Sequence, residues 1–567
     1  MRRVSWSTYV LLSLALVGCP GGNSPADAGP PDATTSGDDD AATPIDAAQT
    51  PIDASTPIDA AMPDGGTTPT GSTAAPPAEI VRTGTGGFLL RGTVLAPDGP
   101  IVDGEVLIVG DSITCVADDC SASPSADTVT IIDTHATISA GLIDAHNHAT
   151  YDFLPEWVPA DMALFGNRYE WRADDDYRAH VEPEARLESW GSGDPRNRQH
   201  MCAALRYAEL RSVIHGTTTM MGQAPDRQCA QGLVRSAEHA HGLGTNTMRT
   251  TISGACESAM NDAARVSIVS AFRAGDATRH AVHMGEGYTG GGAATDPTRE
   301  LDCYAGRHRY TTSLLFDTDG TPFGAALFIH AVPFDDDDLI ESMGAGAHFV
   351  WSPSSNILLY GRTAPIGRML ELGLPVALGP DWTVSGSDEV LSEMRFALEW
   401  AAAEGVAQVT PEALVEMATL GGADAVDLGA HIGRLAPGLR ADVVVFGRVA
   451  SSDPYLAVTD SRAADVRLVM IDGRAYYGDL ALEDATAFNG SCDTIDACGA
   501  SKFLCAAGTT EAATAGAETV DEIESLLRNY LETGWLQDPD GTGPLAPEPR
   551  AFVLDGDDLA PLIDCSL

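Results

Sequence analysis

The sequence predicts an α/β protein: a (β/α)8 TIM-like barrel carried between β-rich flanks. Three observations in the 567-residue chain predict it. Between about residues 141 and 425, short apolar runs alternate with amphipathic stretches such as 228–241 and 388–403. Alternation of this length calls for a parallel sheet, most economically a barrel. β-rich runs separated by turns precede that region at 88–95, 105–109 and 128–132, and their counterparts lie far downstream at 441–446 and 466–471. An apolar content of 44% over this length is enough for a large buried core. Seven barrel strands fall near residues 143, 218, 247, 282, 328, 349 and 377. Closure requires an eighth, for which 266–270 is the candidate.

The chain opens on an address. Arg2 and Arg3 precede an apolar run at 10–17 that is too short to span a bilayer comfortably. The run ends Leu16-Val17-Gly18-Cys19, which resembles the lipobox of bacterial lipoproteins. That resemblance implies a signal peptide over 1–19, an acylated Cys19 and an exported cell-envelope lipoprotein, membrane-anchored in the periplasm or at the cell surface. An ordinary secretory signal is the alternative, and it too exports the mature chain. Residues 20–80 are a Pro/Ala/Thr/Asp tract in which Thr-Pro-Ile-Asp-Ala recurs from Thr43, Thr50 and Thr56. Such a composition cannot bury enough apolar surface to offset the entropy of ordering, so the tract is expected to be a disordered tether.

With 81 acidic and 33 basic residues, the formal net charge is −48. The tether holds ten of the acidic residues and no arginine, so the body stays strongly acidic. This charge argues against electrostatic binding to nucleic acid or to an anionic membrane, both of which need a basic face. No second run of 18 apolar residues occurs, which leaves lipid as the only membrane link. The expected partner is a small-molecule substrate, and an oligomer is compatible with the sequence. The basic residues include one lysine, Lys502. Schiff-base chemistry, a P-loop lysine and a carbamylated-lysine metal bridge are therefore excluded from the first 501 residues.

Eleven cysteines less Cys19 leave ten: 115, 120, 202, 229, 256, 303, 492, 498, 505 and 565. In an oxidising compartment these read as disulfides rather than metal ligands. Cys115 with Cys120, and the group Cys492, Cys498, Cys505 and Cys565, stand foremost, with connectivity left open.

The strongest chemical signal is Gly141-Leu142-Ile143-Asp144-Ala145-His146-Asn147-His148. Histidines at i and i+2 on a strand point to one face, so both imidazoles would converge at one end of the barrel. Neutral imidazole at such a place suits zinc or iron. This segment resembles the signature of the amidohydrolase superfamily, and further resemblances follow in order. Ile214-His215-Gly216-Thr217-Thr218-Thr219 resembles its second-strand motif, and His215 itself reads as structural. His283-Met284-Gly285-Glu286 resembles the H-x-x-E of the cytosine-deaminase and triazine-hydrolase-like branch. Phe328-Ile329-His330-Ala331 and Leu378-Gly379-Pro380-Asp381 resemble its later strand-end histidine and aspartate. Residues 433–442 resemble the return into the family's composite β-sandwich. The resemblance covers about 85–480 and implies a sandwich from 81–140 and 426–480 around a metal-dependent hydrolase barrel at 141–425. Residues 481–567 form a cysteine-containing extension, expected to be a disulfide-stapled cap over the barrel.

Carried over residue by residue, the resemblance implies that His146, His148, His283 and Asp381 hold one divalent metal, with zinc the first expectation and iron the second. The metal would lower the pKa of a bound water toward neutrality and polarise the substrate. Asp381 would double as the base, Glu286 would shuttle the proton to the substrate nitrogen and leaving group, and His330 would orient the attacking hydroxide or the developing oxyanion. With no lysine available to bridge two metals, the site is expected to be mononuclear. The implied activity is hydrolysis of non-peptide C–N bonds, preferably deamination of a heterocyclic or amidine-like small molecule. The alternatives are cyclic amide hydrolysis, or a non-catalytic surface binding lipoprotein on the same barrel.

Departures bear on the substrate. Where the branch shows His-Cys-Pro-x-Ser-Asn, this chain has Trp351-Ser352-Pro353-Ser354-Ser355-Asn356, and Pro380 replaces a common threonine. The insert at 151–198 carries Trp157, Tyr169, Trp171, Tyr177 and Trp190, which either form a lid or simply pack the insert. Gly285-Glu286-Gly287-Tyr288-Thr289-Gly290 matches G-x-G-x-x-G, but no helix start follows it, so it reads as a flexible loop.

Overall fold

The structure, a computed structural model, describes residues 72–189, 195–222, 229, 233–238, 243, 248–486, 492–506, 519–534 and 552–565. The expected leader with Cys19, residues 20–71 of the expected tether and Trp190 lie outside the described residues, whereas the end of that tract is ordered, with Thr73–Ala74 paired to Arg448–Val449 and Glu79–Arg82 paired to the 130–140 strand. No described helix is long and apolar enough to cross a membrane.

Both flanks join one ten-stranded sheet. Its order is Asp493–Ala497, Ala500–Leu504, Arg474–Asp479, Val466–Ile471, Val443–Phe446, Thr130–Ala140, Gly87–Ala96, Gly99–Val109 and Ser112–Ala117, with Glu79–Arg82 beside Thr130–Ala140. The two flanks meet where Ala140 pairs with Val443 and Thr137 with Phe446, antiparallel. Alternate residues Leu90, Val106, Ile108, Ile132, Ile138, Val443, Val445, Leu468 and Met470 form a single apolar cluster. Each such side chain contributes roughly 1.5–3 kcal/mol when fully buried.

The Thr130–Ala140 strand runs through Gly141 into the strand Leu142–Asp144. A Cβ at Gly141 would lie 2.1 Å from Thr218 Oγ1, so only glycine lets the two strands approach this closely. Leu142–Asp144, Thr217–Met220 and Arg235–Ser236 make a parallel sheet. Met248–Thr251, Arg279–Met284, Ala326–His330, His348–Trp351 and Val376–Leu378 make a second. The two are joined where Ala145 N–H donates to Leu378 O (3.2 Å) and Asp381 N–H donates to His146 O (3.1 Å). Ile143, Ala145, Ala281, Leu327, Ile329, Val350 and Ala377 share one cluster, while Leu142, Val282, Phe328, Phe349 and Leu378 face another. Burial on both faces explains why these strands read as continuous apolar runs.

Three expectations are corrected. Residues 266–270 are not a strand: they lie in the helix Asp262–Ala274, which Asn261 caps and Gly275 ends in the left-handed region. Its buried Arg265, Ile268 and Val269 follow helical spacing. The missing parallel strand is instead Arg235–Ser236, inside the stretch 228–241 expected to be amphipathic helix. It lacks an apolar signature because Arg235 reaches back to Asp442 and Asp472, at 3.0 Å each. Finally, His146 and His148 lie just beyond the strand, which ends at Asp144. The Asp144 carboxylate accepts from His146 N–H (3.1 Å) and from Asn147 Nδ2 (2.8 Å), closing a turn of the kind Asp side chains favour.

The C-terminal extension does two things. Its hairpin lengthens the flanking sheet, while the helix Val520–Thr533 lies against the helix Pro195–Ile214, with the Tyr530 hydroxyl donating to Pro183 O (2.8 Å). All ten body cysteines are paired, as 115–120, 202–229, 256–303, 492–505 and 498–565. Cys256–Cys303 closes a 47-residue separation and ties together the segments that carry Glu257 and Glu300. Removing it as Cys256→Ser with Cys303→Ser should cost roughly 2–4 kcal/mol by restoring unfolded-state entropy. Denaturant unfolding with the other four bridges intact measures that loss.

Candidate active site

The residues singled out in the sequence come together at the ends of the parallel strands. His146, His283, His330 and Asp381 each offer a ligand atom within 4.8 Å of the others, and all four are buried. His148 adjoins them: its Nε2 lies 3.2 Å from His283 Nε2 and 3.4 Å from Asp381 Oδ1. His146 Nε2 is 2.8 Å from Asp381 Oδ1. The strand ends are locked from behind by His148 N–H donating to Asp381 O (2.8 Å).

Two of these groups sit on strained backbone. Asp381 has φ of 77° and His330 of 78°, both in the left-handed region that costs a non-glycine residue of order 1–3 kcal/mol. By strand alternation, His330 would share the face of Phe328. Instead the strand ends there, with Ala331 also left-handed, and the imidazole ring lies 5.3 Å from that of His283.

Electrostatics prepare the set for a cation. Burial holds His148 down at about 4 and His283 well below its ordinary value, and it lowers His330 as well, so these imidazoles are neutral near pH 7. Burial alone would raise Asp381, but the surrounding His146, His330 and His148 outweigh it and keep the carboxyl ionised. His146 Nε2 faces Asp381 Oδ1 at 2.8 Å, and His330 Nε2 is buried without a hydrogen-bond partner among the described residues. Neutral imidazole nitrogens and one carboxylate, converging with lone pairs unspent, fit a divalent metal of the zinc type. The lone lysine takes no part: Lys502 Nζ, buried in the flanking sheet, donates to Val466 O (2.8 Å) and Asp479 Oδ1 (2.6 Å).

The segment 351–356 supplies supports for the site. Ser355 Oγ donates to Asp381 Oδ2 (2.7 Å). His330 Nδ1–H donates to Asn356 Oδ1 (3.0 Å), which leaves Nε2 as an acceptor facing the site. In this tautomer His330 can hold an ion or a water proton but cannot donate to an oxyanion. Trp351, where the branch has histidine, is buried and donates from Nε1 to Thr363 Oγ1 (2.7 Å). His215 is structural, its Nδ1–H donating to Arg211 O (2.8 Å).

A cavity of about 490 Å³ opens over the cluster, with Glu286 in its lining. Tyr151, Trp171, Tyr177 and Trp382 form an aromatic wall, with ring centroids of 5.0 Å for Tyr151–Trp382, 5.9 Å for Trp171–Trp382 and 4.9 Å for Trp171–Tyr177. The insert therefore does both things its aromatics suggested: Trp171 and Tyr177 line the cavity, while buried Trp157 packs against Phe165 and Tyr177. Tyr169 is turned away, donating to Glu257 Oε1 (2.8 Å). The glycine-rich run is not a free loop, because Asn167 and Gly287 form an antiparallel bridge.

Residues 306–476 match the Amidohydrolase family model, a segment that includes His330 and Asp381. A 5-methylthioadenosine/S-adenosylhomocysteine deaminase of Syntrophobacter fumaroxidans is 36% identical over 158 residues, 26% of this chain and 35% of that enzyme. The chain spans about a third of the length of this and the similar deaminases it matches over short segments. A 5'-deoxyadenosine deaminase of Methanosarcina mazei is 26% identical over 413 residues, covering 67% of this chain and 89% of that one. Among solved structures, an adenosine deaminase from Xanthomonas campestris with bound zinc aligns over 70% of this chain and 94% of its own, with a TM-score of 0.51 and 17% identity. These matches show an amidohydrolase-family segment at 306–476 and a mixed α/β fold shared with the solved structure.

Proposed function

We propose that the chain is a mononuclear metal-dependent hydrolase that deaminates a heterocyclic or amidine-like small molecule. The observation that carries this reading is the convergence of four histidines and Asp381 beside Glu286, on the floor of an aromatic-walled cavity. His146, His148, His283 and Asp381 would hold one divalent ion, zinc foremost. When bound, the metal supplies Lewis acidity and a water of lowered pKa. Asp381, ionised and steadied by Ser355, takes the proton of the attacking water. Glu286 relays that proton to the ring nitrogen and the second proton of the water to the departing amine, which leaves as ammonia. His330 Nε2 accepts from the attacking water and so fixes its direction. The aromatic wall takes the flat face of a heterocycle and helps to exclude water.

The same reading includes a closed barrel of the eight parallel strands and a sandwich formed by the flanking sheet. It also includes export with a lipid on Cys19. The Arg2-to-Cys19 leader and the complete pairing of the body cysteines support export.

Ammonia release from the zinc-loaded chain should be measured across purines, 5'-deoxyadenosine, 5-methylthioadenosine, pyrimidines, triazines and guanidino compounds. At least one class should be deaminated. Ring opening of a cyclic amide without ammonia would move the activity to the neighbouring reaction. No turnover of any kind by metal-loaded protein would leave a binding lipoprotein.

A further inference from the structure

Glu286 is gripped from two sides by residues that belong to neither the strand before it nor the metal cluster. Tyr360, at the end of the helix Pro353–Tyr360, donates its hydroxyl to Glu286 Oε1 (2.9 Å) and accepts from Trp171 Nε1 (2.7 Å). Arg168 Nη1 donates to Glu286 Oε2 (3.3 Å) and to Ile252 O (3.1 Å). Its Nη2 donates to Glu257 Oε1 (3.2 Å) and lies 3.7 Å from Glu300 Oε1. Arg168 and Trp171 both come from the insert after the first parallel strand. The insert is fastened to the Glu286 loop by backbone and side-chain hydrogen bonds. Arg168 N–H donates to Glu286 O (3.3 Å), Tyr288 N–H donates to Gly166 O (2.8 Å), and Asn167 Nδ2 donates to Thr289 O (2.9 Å). The contact needs Gly287, whose φ is +117° and where a Cβ would lie 2.5 Å from both Asn167 Cα and Gly166 O. This is the physical use of the glycine-rich run.

We propose that Arg168 and Tyr360 are positioning residues for Glu286, and that the insert is thereby part of the catalytic unit. The inference depends on Glu286 being the proton carrier described above. A carboxylate with one oxygen held by a phenol and the other by a guanidinium has neither rotation nor translation left. It is then aimed where a proton must be delivered, and a displacement of about 1 Å from such geometry costs on the order of 100-fold in rate. Arg168 is nearly fully buried and faces three carboxylates, so a purely structural role in neutralising them is the competing account.

The test is steady-state deamination of the best substrate from the panel by zinc-loaded Arg168→Met, Arg168→Lys and Tyr360→Phe, with Glu286→Gln as the reference background. Arg168→Met should lower kcat about 10- to 100-fold with KM within a few-fold of wild type. Arg168→Lys should recover part of that loss, because lysine restores the charge without the fork. Tyr360→Phe keeps the ring and the packing and should lower kcat about 10-fold. In the Glu286→Gln background, Arg168→Met should cost little more, since both act on the same group. A lowered melting temperature with unchanged kcat in Arg168→Met and Tyr360→Phe would establish the structural account and overturn the proposal. A raised KM with unchanged kcat would make Arg168 a substrate contact and overturn it equally. If the zinc-loaded wild type turns over nothing, the reading of the whole site fails, and this inference with it.

Discussion

Asp381→Asn should be the most damaging single substitution, lowering kcat/KM by roughly 10,000-fold or more. Two roles meet in this carboxylate. It is the anionic member of the buried cluster, 2.8 Å from His146 Nε2, and in the proposed mechanism it is both a metal ligand and the base for the attacking water. Asparagine keeps the shape and the hydrogen bond from Ser355 but has neither the charge nor a useful basicity. Because Asp381 holds a left-handed φ, which asparagine tolerates at least as well as aspartate, the fold should survive. Steady-state deamination with metal content measured in parallel checks the effect. Activity within 10-fold of wild type would remove Asp381 from the mechanism.

Glu286→Gln should lower kcat/KM by roughly 100- to 10,000-fold while leaving the bound metal in place. The side chain is buried, and its two oxygens are hydrogen-bonded to Tyr360 and Arg168, with His330 Nε2 3.7 Å from Oε2. Glutamine can still accept at Oε1 but cannot carry a proton. Loss of turnover with full metal occupancy separates the proton carrier from the ligands. Intact turnover would mean that another group moves the proton.

The site was legible where its chemistry is local. His146 and His148 are two residues apart, Glu286 follows His283 by three, and His330 and Asp381 each end an apolar run. Such spacings survive folding because a strand end delivers neighbouring side chains to one place. The groups that hold these residues were not legible. Arg168 lies 118 residues from Glu286 and Tyr360 lies 74 away, and nothing near either marks the contact. Ser355 and Asn356 stood in a quoted motif, but their partners Asp381 and His330 are each 26 residues distant.

The fold divides in the same way. Apolar runs such as those around 282, 328 and 349 identify their strands because both faces are buried. Arg235–Ser236 escaped notice because its pairing is short and its arginine is satisfied by Asp442 and Asp472 far along the chain. Residues 266–270 carry β-branched side chains, yet Asn261 and Gly275 bound them as a helix. Cys115–Cys120 was readable as a near pair, whereas Cys256–Cys303 depends on tertiary approach.

Elemental analysis of the purified chain, compared with His146→Ala, tests the central claim most directly. The account predicts about one zinc or iron ion per wild-type chain, with deaminase activity lost on chelation and regained with zinc. It predicts that the ion is lost in His146→Ala. A wild-type chain that takes up no divalent metal, or a His146→Ala chain that binds it as fully as wild type, would contradict a one-metal site built on these residues.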